Sequence, residues 1–356
     1  MRKPTIYFYH TQDIQYILQR MADGKFPSHF LYGATRLPDE GFGVVWHKSR
    51  MGLSRWREAL RTAWLVLRQG NNIDAVYATH YKGLELVVLL RALHLFRKPI
   101  VVWHHQPVIT PKSRLREWGG RLFYRGLDRM IFFSQKLVDD SLRSPKARKE
   151  RLVVGHWGAD LDFYDRLMAH SSRHGFISTG KEQRDMATLV EAFNAAGLPL
   201  VIYVGINPDP KVYNPNLEVF GKISVADNVE VKKVMGLMPY ELAVEVDKAA
   251  CVVVCCKPTR YTAGLTTVVE ALALGLPLVC SRNPQIPIDV DAERCGISVG
   301  YYDTDGWRRA IEYIASHPAE AEAMGRRGRA LAERLFNDRR CAAEVAGVIR
   351  SVLGNR

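Results

Sequence analysis

The sequence predicts an α/β protein made of two doubly wound parallel-sheet domains, and three observations carry that expectation. Short apolar runs alternate with helical patterns in both halves, several of those runs are apolar on both faces as helix-covered strands require, and 356 residues exceed what one core usually fills. With 47% hydrophobic and 24% charged residues, and no apolar run near the ~18 residues of a membrane span, the composition is that of a soluble globular chain.

The first half alternates as follows. Strands are expected at Thr5–Tyr9, Gly43–Trp46, Ala75–Ala78, Ile100–Trp103, Met130–Phe133 and Leu152–Val154, with helical periods over Arg55–Arg68 and Leu84–Leu95 between them. The second half restarts with strand Gly175–Ser178, helix Ala187–Asn194, strands Leu200–Val204 and Val229–Lys232, and helix Pro239–Lys248. Strand Cys251–Cys256, helix Thr266–Leu274 and strand Leu276–Cys280 follow, then helices Asp305–Ala315, Pro318–Arg334 and Arg339–Val352. Asp165 to His174 lacks a strong apolar period and reads as the linker. Domains are therefore expected at 1–168 and 169–335, with a C-terminal helix at 336–356 returning toward the first domain. The basic start Met1-Arg2-Lys3-Pro4 precedes an apolar stretch too short for a secretory signal, so a cytoplasmic protein is expected. Six cysteines without C-x-x-C spacing read as reduced core residues.

The net charge of +13 lies in one half: residues 1–170 hold 28 Lys and Arg against 15 Asp and Glu. Within it, 112–151 carries 12 basic and five acidic residues, with Leu115, Trp118, Leu122 and Phe123 interleaved as one apolar stripe. Two readings stay open: the helix lies on the anionic inner face of the plasma membrane as a peripheral contact, or its stripe packs on its own domain. Nucleic acid is not expected, because no recognition motif accompanies the charge.

The stretch from Ala249 to Ser281 has the layout of a ligand site: strand, loop, helix and strand, with Glu270 the single carboxylate inside the helix. In open α/β sheets, ligands collect at the carboxyl ends of strands, where a helix N-terminus attracts phosphate. Glu270 can accept two hydrogen bonds at once, which suits the paired hydroxyls of a ribose whose diphosphate rests on Gly264 to Thr267; the alternative is a carboxylate capping nearby backbone. The loop Ser178–Asp185 places Lys181 and Arg184 where they could flank that diphosphate, or stand as solvated loop charges. His105 closes the strand Ile100–Trp103; of the adjacent pair, His105 is expected to face a substrate in the cleft between the domains and His104 to be packed. His156 to Asp160 reads as a tight interdomain turn.

Taken together these residues resemble the retaining family-4 glycosyltransferases, whose GT-B fold sets two Rossmann-like domains facing a central cleft. The resemblance rests on 99–105, 154–164, Gly180 to Ala192, 236–242 and Gly264 to Pro277. By that resemblance Glu270 is the second glutamate of the family's E-x7-E motif and holds the donor ribose. Thr262 stands at the first glutamate's position, a hydroxyl in place of the carboxylate near the transferred sugar. The amides of Gly264, Leu265 and Thr266, with Thr267, contact sugar and diphosphate. Arg184 aligns with the family's phosphate-binding lysine, Lys181 lies near the place of its arginine, and His105 aligns with the histidine that contacts the donor sugar. Where many relatives have a glycine-rich loop after the first strand, this chain has His10-Thr11-Gln12-Asp13.

The resemblance implies a metal-independent hexosyltransferase whose co-substrate is a UDP-sugar or GDP-sugar and which needs no other cofactor. The acceptor is expected to be a saccharide or lipid-linked, in cell-surface polysaccharide or glycolipid assembly, and transfer to retain the anomeric configuration. Two other classes stay open: a nucleotide-sugar epimerase or hydrolase of the same fold, and a non-catalytic nucleotide-sugar-binding protein.

Overall fold

The computed structural model describes residues 2–50, 52–168, 172–180, 182–206, 215–236 and 238–354, with 215 and 216 by backbone alone. Lys181 and 169–171, within the expected linker, lie outside the described residues. The chain forms two compact units. Unit 1 comprises Met1–Asp23, Ser28–Trp157 and Asp338–Arg356; unit 2 comprises Gly24–Pro27 and Gly158–Asn337.

In unit 1, β1 (Thr5–Tyr9), α1 (Ile14–Ala22), β2 (Gly43–Trp46), α2 (Arg55–Gln69), β3 (Ala75–Ala78) and α3 (Glu85–Ala92) are followed by β4 (Ile100–Trp103), α4 (Arg114–Arg125), β5 (Arg129–Phe132), α5 (Gln135–Leu142) and β6 (Leu152–Val154). The six strands pair in parallel in the order β2-β1-β3-β4-β5-β6. Strands β3 and β4 are buried along their whole length, which is why their sequences, AVYA and IVVW, show no polar alternation. Inside the sheet, Trp103 Nε1–H donates to the Tyr77 hydroxyl at 2.8 Å, so two large rings are buried with their polar ends satisfied. The stripe expected on α4 divides: Leu115 and Trp118 are exposed, whereas Phe123 is half-buried edge-on to Tyr81 with ring centroids 5.5 Å apart.

Unit 2 runs through α6 (Leu161–Asp165), β7 (Phe176–Ser178), α7 (Met186–Ala196), β8 (Leu200–Gly205), α8 (Pro215–Phe220), β9 (Val229–Val234), α9 (Pro239–Asp247), β10 (Cys251–Val254), α10 (Leu265–Ala273), β11 (Leu278–Ser281), β12 (Gly296–Val299), α11 (Thr304–Ser316) and α12 (Pro318–Arg334). Its parallel order is β12-β11-β10-β7-β8-β9. The short strand β12, which the sequence reading leaves unassigned, is fixed by pairing to β11, with Leu278 opposite Gly296. The core gathers Phe176, Leu189, Phe193, Ile202, Val253, Val279 and Trp307 between sheet and helices. Residues 158–168, placed with the first domain on sequence, belong to unit 2. A Cβ on Gly158 would meet the Phe336 carbonyl carbon at 1.8 Å, so this turn lies flat against the end of the unit's own chain.

The last helix, α13 (Asp338–Leu353), returns to unit 1 and packs against β3. Asp338, 2% exposed, accepts hydrogen bonds from Ser28 Oγ at 2.6 Å and Arg36 Nε at 2.9 Å. Glu344, further along α13, takes the His156 backbone N–H at 2.8 Å.

Candidate functional site

Both sheets have a point where the strand order reverses, and there the loops leaving two neighbouring strands diverge and open a crevice. In unit 2 that point lies between β7 and β10. The two loops concerned, 179–185 after β7 and 255–264 after β10, carry Lys181, Arg184, Thr262 and Gly264, and the second leads into Leu265 to Glu270 of α10.

Arg184 joins them. It is 4% exposed, and its Nε donates to the Thr179 carbonyl at 3.0 Å, Nη1 to the Glu182 carbonyl at 2.9 Å and toward Cys256 Sγ at 3.3 Å, and Nη2 to Thr267 Oγ1 at 3.1 Å. Beside it the Asp185 N–H reaches the Cys255 carbonyl at 3.0 Å and the Lys257 N–H the Gln183 carbonyl at 2.8 Å, closing the loops together. This is not a solvated loop charge. Every hydrogen-bond acceptor it meets is neutral, and among the described residues it forms no ion pair. The adjacent buried carboxylate, Asp185, is turned to the Thr188 N–H and hydroxyl, so the guanidinium keeps no direct anionic partner among the described residues, an arrangement that favours an arriving anion.

The start of α10 adds its own positive potential. Gly264 caps it in the left-handed conformation, φ +92°, with no side-chain hydrogen bond to the first-turn amides. Only glycine fits: a Cβ there would meet Val254 Cγ1 at 2.7 Å. Thr262 precedes it, half-buried, its carbonyl accepting the Leu265 N–H at 3.0 Å. Leu265 and Thr267 are buried, and Thr266 is exposed at the helix start. Two residues unremarked on sequence hold the loop from behind: Asn283 Nδ2 donates to the Tyr261 carbonyl at 3.1 Å, and the Cys256 N–H reaches Ser281 Oγ at 2.8 Å.

Glu270 lies five residues beyond Leu265, about 7–8 Å along the axis at 1.5 Å per residue. It is half-buried and accepts the hydroxyl of Tyr164, a residue of α6 that is 1% exposed. Burial, reinforced by the adjacent carboxylate, pushes the Tyr164 phenol well up, so it stays a donor. On sequence Tyr164 stands out only as part of the 154–164 segment that carries the family resemblance. A carboxylate accepts about four hydrogen bonds, and the Tyr164 hydroxyl takes one of those places.

In unit 1 the order reverses between β1 and β3. Histidines follow three strands there: His10 after β1, His80 after β3, and His104 and His105 after β4. His105 is half-buried, and its Nε2–H donates to the Thr79 carbonyl at 2.8 Å, 5.4 Å from the His80 ring. His104, 4% exposed, is packed between the Gln106 carbonyl at Nδ1 and the Tyr124 hydroxyl, 2.9 Å from Nε2. Burial lowers the pKa of His10, His80 and His104 to about 4, with neighbouring histidines adding to the effect. His10 and His80 each accept a backbone N–H at Nδ1 from two residues on, both at 2.8 Å. Sequence reasoning singled out His105 and passed over His80, although each of these residues stands behind a fully apolar strand. Among the described residues no group of three or more His, Cys, Asp or Glu is placed to hold a metal ion.

No family model matches the chain. It is 28% identical over 316 residues to the MMP alpha-(1->4)-mannosyltransferase of Mycolicibacterium hassiacum, an alignment covering 83% of this chain and 74% of that protein. Over 84 residues it is 32% identical to the D-inositol 3-phosphate glycosyltransferase of Saccharomonospora viridis, 24% of this chain and 19% of that protein. Among solved structures, Anabaena HepE in complex with UDP matches with a TM-score of 0.66 at 12% identity, covering 98% of this chain and all of that one. At that identity the likeness concerns the fold: two six-stranded parallel sheets flanked by helices are the GT-B architecture.

Proposed function

We propose, from the premise that this chain is a glycosyltransferase of GT-B fold, that it moves a hexose-type sugar from a nucleoside diphosphate sugar to a saccharide or lipid-linked acceptor. Transfer retains the anomeric configuration and needs no metal. One observation carries the reading: a buried guanidinium with only neutral partners sits beside the side-chain-uncapped first turn of α10, where the strand order reverses. A diphosphate is the ligand that answers both features.

In this reading the diphosphate rests on the amides of Gly264 to Thr267, and Glu270, steadied by Tyr164, grips the ribose hydroxyls. Arg184 is a positioning residue as much as a ligand. Four of its five N–H groups hold the loops, and the fifth, on Nη2, is directed to no protein acceptor among the described residues. As the bond to the sugar breaks, negative charge grows on the leaving diphosphate, and the preset amides and guanidinium stabilise it without reorganising. The acceptor proton passes to that diphosphate, so no protein base is invoked. Lys181, on the same loop, is assigned the second phosphate contact on sequence alone, and Thr262 a hydroxyl near the transferred sugar. For His105 the proposed role is a hydrogen bond to a sugar hydroxyl. The mannosyltransferase relative supports a hexose, and the UDP held by HepE supports a nucleotide donor.

A thermal-shift series with uridine, guanosine and adenosine diphosphates tests the donor site: one nucleotide should raise Tm by several degrees. Turnover of the matching sugar nucleotide, followed by NMR with and without acceptor and with a chelator present, tests the chemistry. Sugar isomerised or released without an acceptor would replace transfer with epimerisation or hydrolysis. Binding without turnover on any acceptor would leave a binding protein.

A further inference from the structure

Helix α2 carries two apolar faces, and the fold buries only the smaller one. Ala59, Thr62, Ala63 and Val66 face the sheet. Trp56, Leu60, Trp64 and Leu67, spaced by four, four and three, form a second row that stands exposed at 74%, 60%, 57% and 47%. At 100° per residue this row lies about a quarter turn from the buried face. The opposite flank is the one turned to α3: there Arg55 pairs with Glu85 at 2.6 Å and Glu58 accepts the Tyr9 hydroxyl at 2.9 Å. The exposed row therefore looks away from α3, at the edge of the sheet where β2 is the last strand. Arg57 and Arg68 run alongside it, exposed, with the Arg68 guanidinium over the Trp64 ring at 5.2 Å, whereas half-buried Arg61 turns back to donate to the Lys48 carbonyl.

We infer that α2 is a membrane-docking helix that lays Trp56, Leu60, Trp64 and Leu67 into the headgroup boundary of an anionic bilayer. Charge decides the occupant. A second copy packing its α2 antiparallel across a two-fold axis would bring one arginine row against the other, and like charges repel. An anionic lipid surface complements them, and indole rings suit the boundary because they are apolar bodies with one polar N–H. Residues 1–170 hold all of the chain's net charge, which orients the same half toward such a surface. No helix among the described residues is long and apolar enough to cross a membrane, so the contact is one of lying on the surface. The inference stands apart from the donor reading, since none of these residues belongs to that site.

The test is co-sedimentation of the whole chain with phosphatidylcholine vesicles, with and without phosphatidylglycerol, at low and high salt. Binding should require the anionic lipid and fade with salt. Trp56→Ser with Trp64→Ser, and separately Arg57→Glu with Arg68→Glu, should each weaken partitioning on the order of tenfold or more, while the nucleotide thermal shift of each variant stays as in the wild type. Leu115→Ser with Trp118→Ser, on α4, should weaken it less. Equal binding to neutral vesicles, full binding by the α2 tryptophan pair, or a loss confined to the α4 pair would each overturn the assignment. So would a dimer in light scattering that the tryptophan pair abolishes, since that would make a second copy the occupant.

Discussion

Arg184, at the end of the β7 loop, meets Thr267 in the first turn of α10, Nη2 to Oγ1, at 3.1 Å. That contact ties the loop to the helix start, and under the proposed function it couples the stability of unit 2 to its affinity for anions. Arg184→Ala leaves the buried Thr179 carbonyl, the part-buried Glu182 carbonyl and the Thr267 hydroxyl without their donor, so we expect a loss of roughly 2–4 kcal/mol in urea unfolding together with weaker nucleotide binding. Arg184→Lys keeps the charge and loses the fork, so it should recover part of the binding and little of the stability. An unchanged urea midpoint in the Ala variant would show that the guanidinium is not structural.

Glu270 should matter to the ribose and not to the phosphates. Glu270→Ala is expected to weaken a nucleoside diphosphate by about 1–3 kcal/mol while leaving inorganic pyrophosphate unaffected. Tyr164→Phe, which only removes the phenol's hydrogen bond to the carboxylate, should give a smaller loss in the same direction. Isothermal titration of both ligands separates these outcomes; a parallel loss for pyrophosphate would move Glu270 out of ribose binding.

Two glycines hold the anion site open. Gly180 has φ +89°, and a Cβ there would lie 2.2 Å from Arg184 Nη2; at Gly264 it would lie 2.7 Å from Val254 Cγ1. Each Gly→Ala change should cost about 1–3 kcal/mol from backbone strain, with steric displacement added. Gly41, with φ +89° and nothing within 4 Å of its would-be Cβ, is the control that shows strain alone. Thermal denaturation should rank Gly41→Ala as the mildest of the three.

The strand-end histidines make unit 1 acid-sensitive. Free histidine titrates near 6.5, and in the fold His10, His80 and His104 titrate at about 4 because burial disfavours the charged ring. Above pH 6.5 both folded and unfolded states leave them neutral and stability is full. Between about 6.5 and 4 the unfolded chain binds more protons, so stability falls by up to about 1.4 kcal/mol per pH unit for each histidine, and it levels off below 4. His104→Phe should flatten that decline in a pH series of urea midpoints; an equal slope would exclude His104 as a source.

The strands were legible because both faces of β3, β4 and β10 are covered, which forces apolar runs that no polar residue interrupts. The loop before α10 was legible because glycine stands directly before an apolar helix that follows a buried strand, with no Ser, Thr, Asp or Asn at the cap position. Two things were not legible. Burial of Arg184 depends on the β10 loop lying across it, a contact between residues 72 apart in sequence. On α2, hydrophobicity alone assigns the tryptophans to the core, whereas close approach to the sheet selects Ala59 and Ala63.

The bond from Ser28 to Asp338 spans 310 positions and lies inside a single unit. During synthesis the amino-terminal sheet therefore leaves the ribosome long before the segment that caps β3, and Gly158–Asn337, nearly all of the other unit, is made in between. Its maturation waits for the final stretch of chain, so a message interrupted just ahead of Asp338 yields a protein whose later-made unit is whole and whose first-made unit is not.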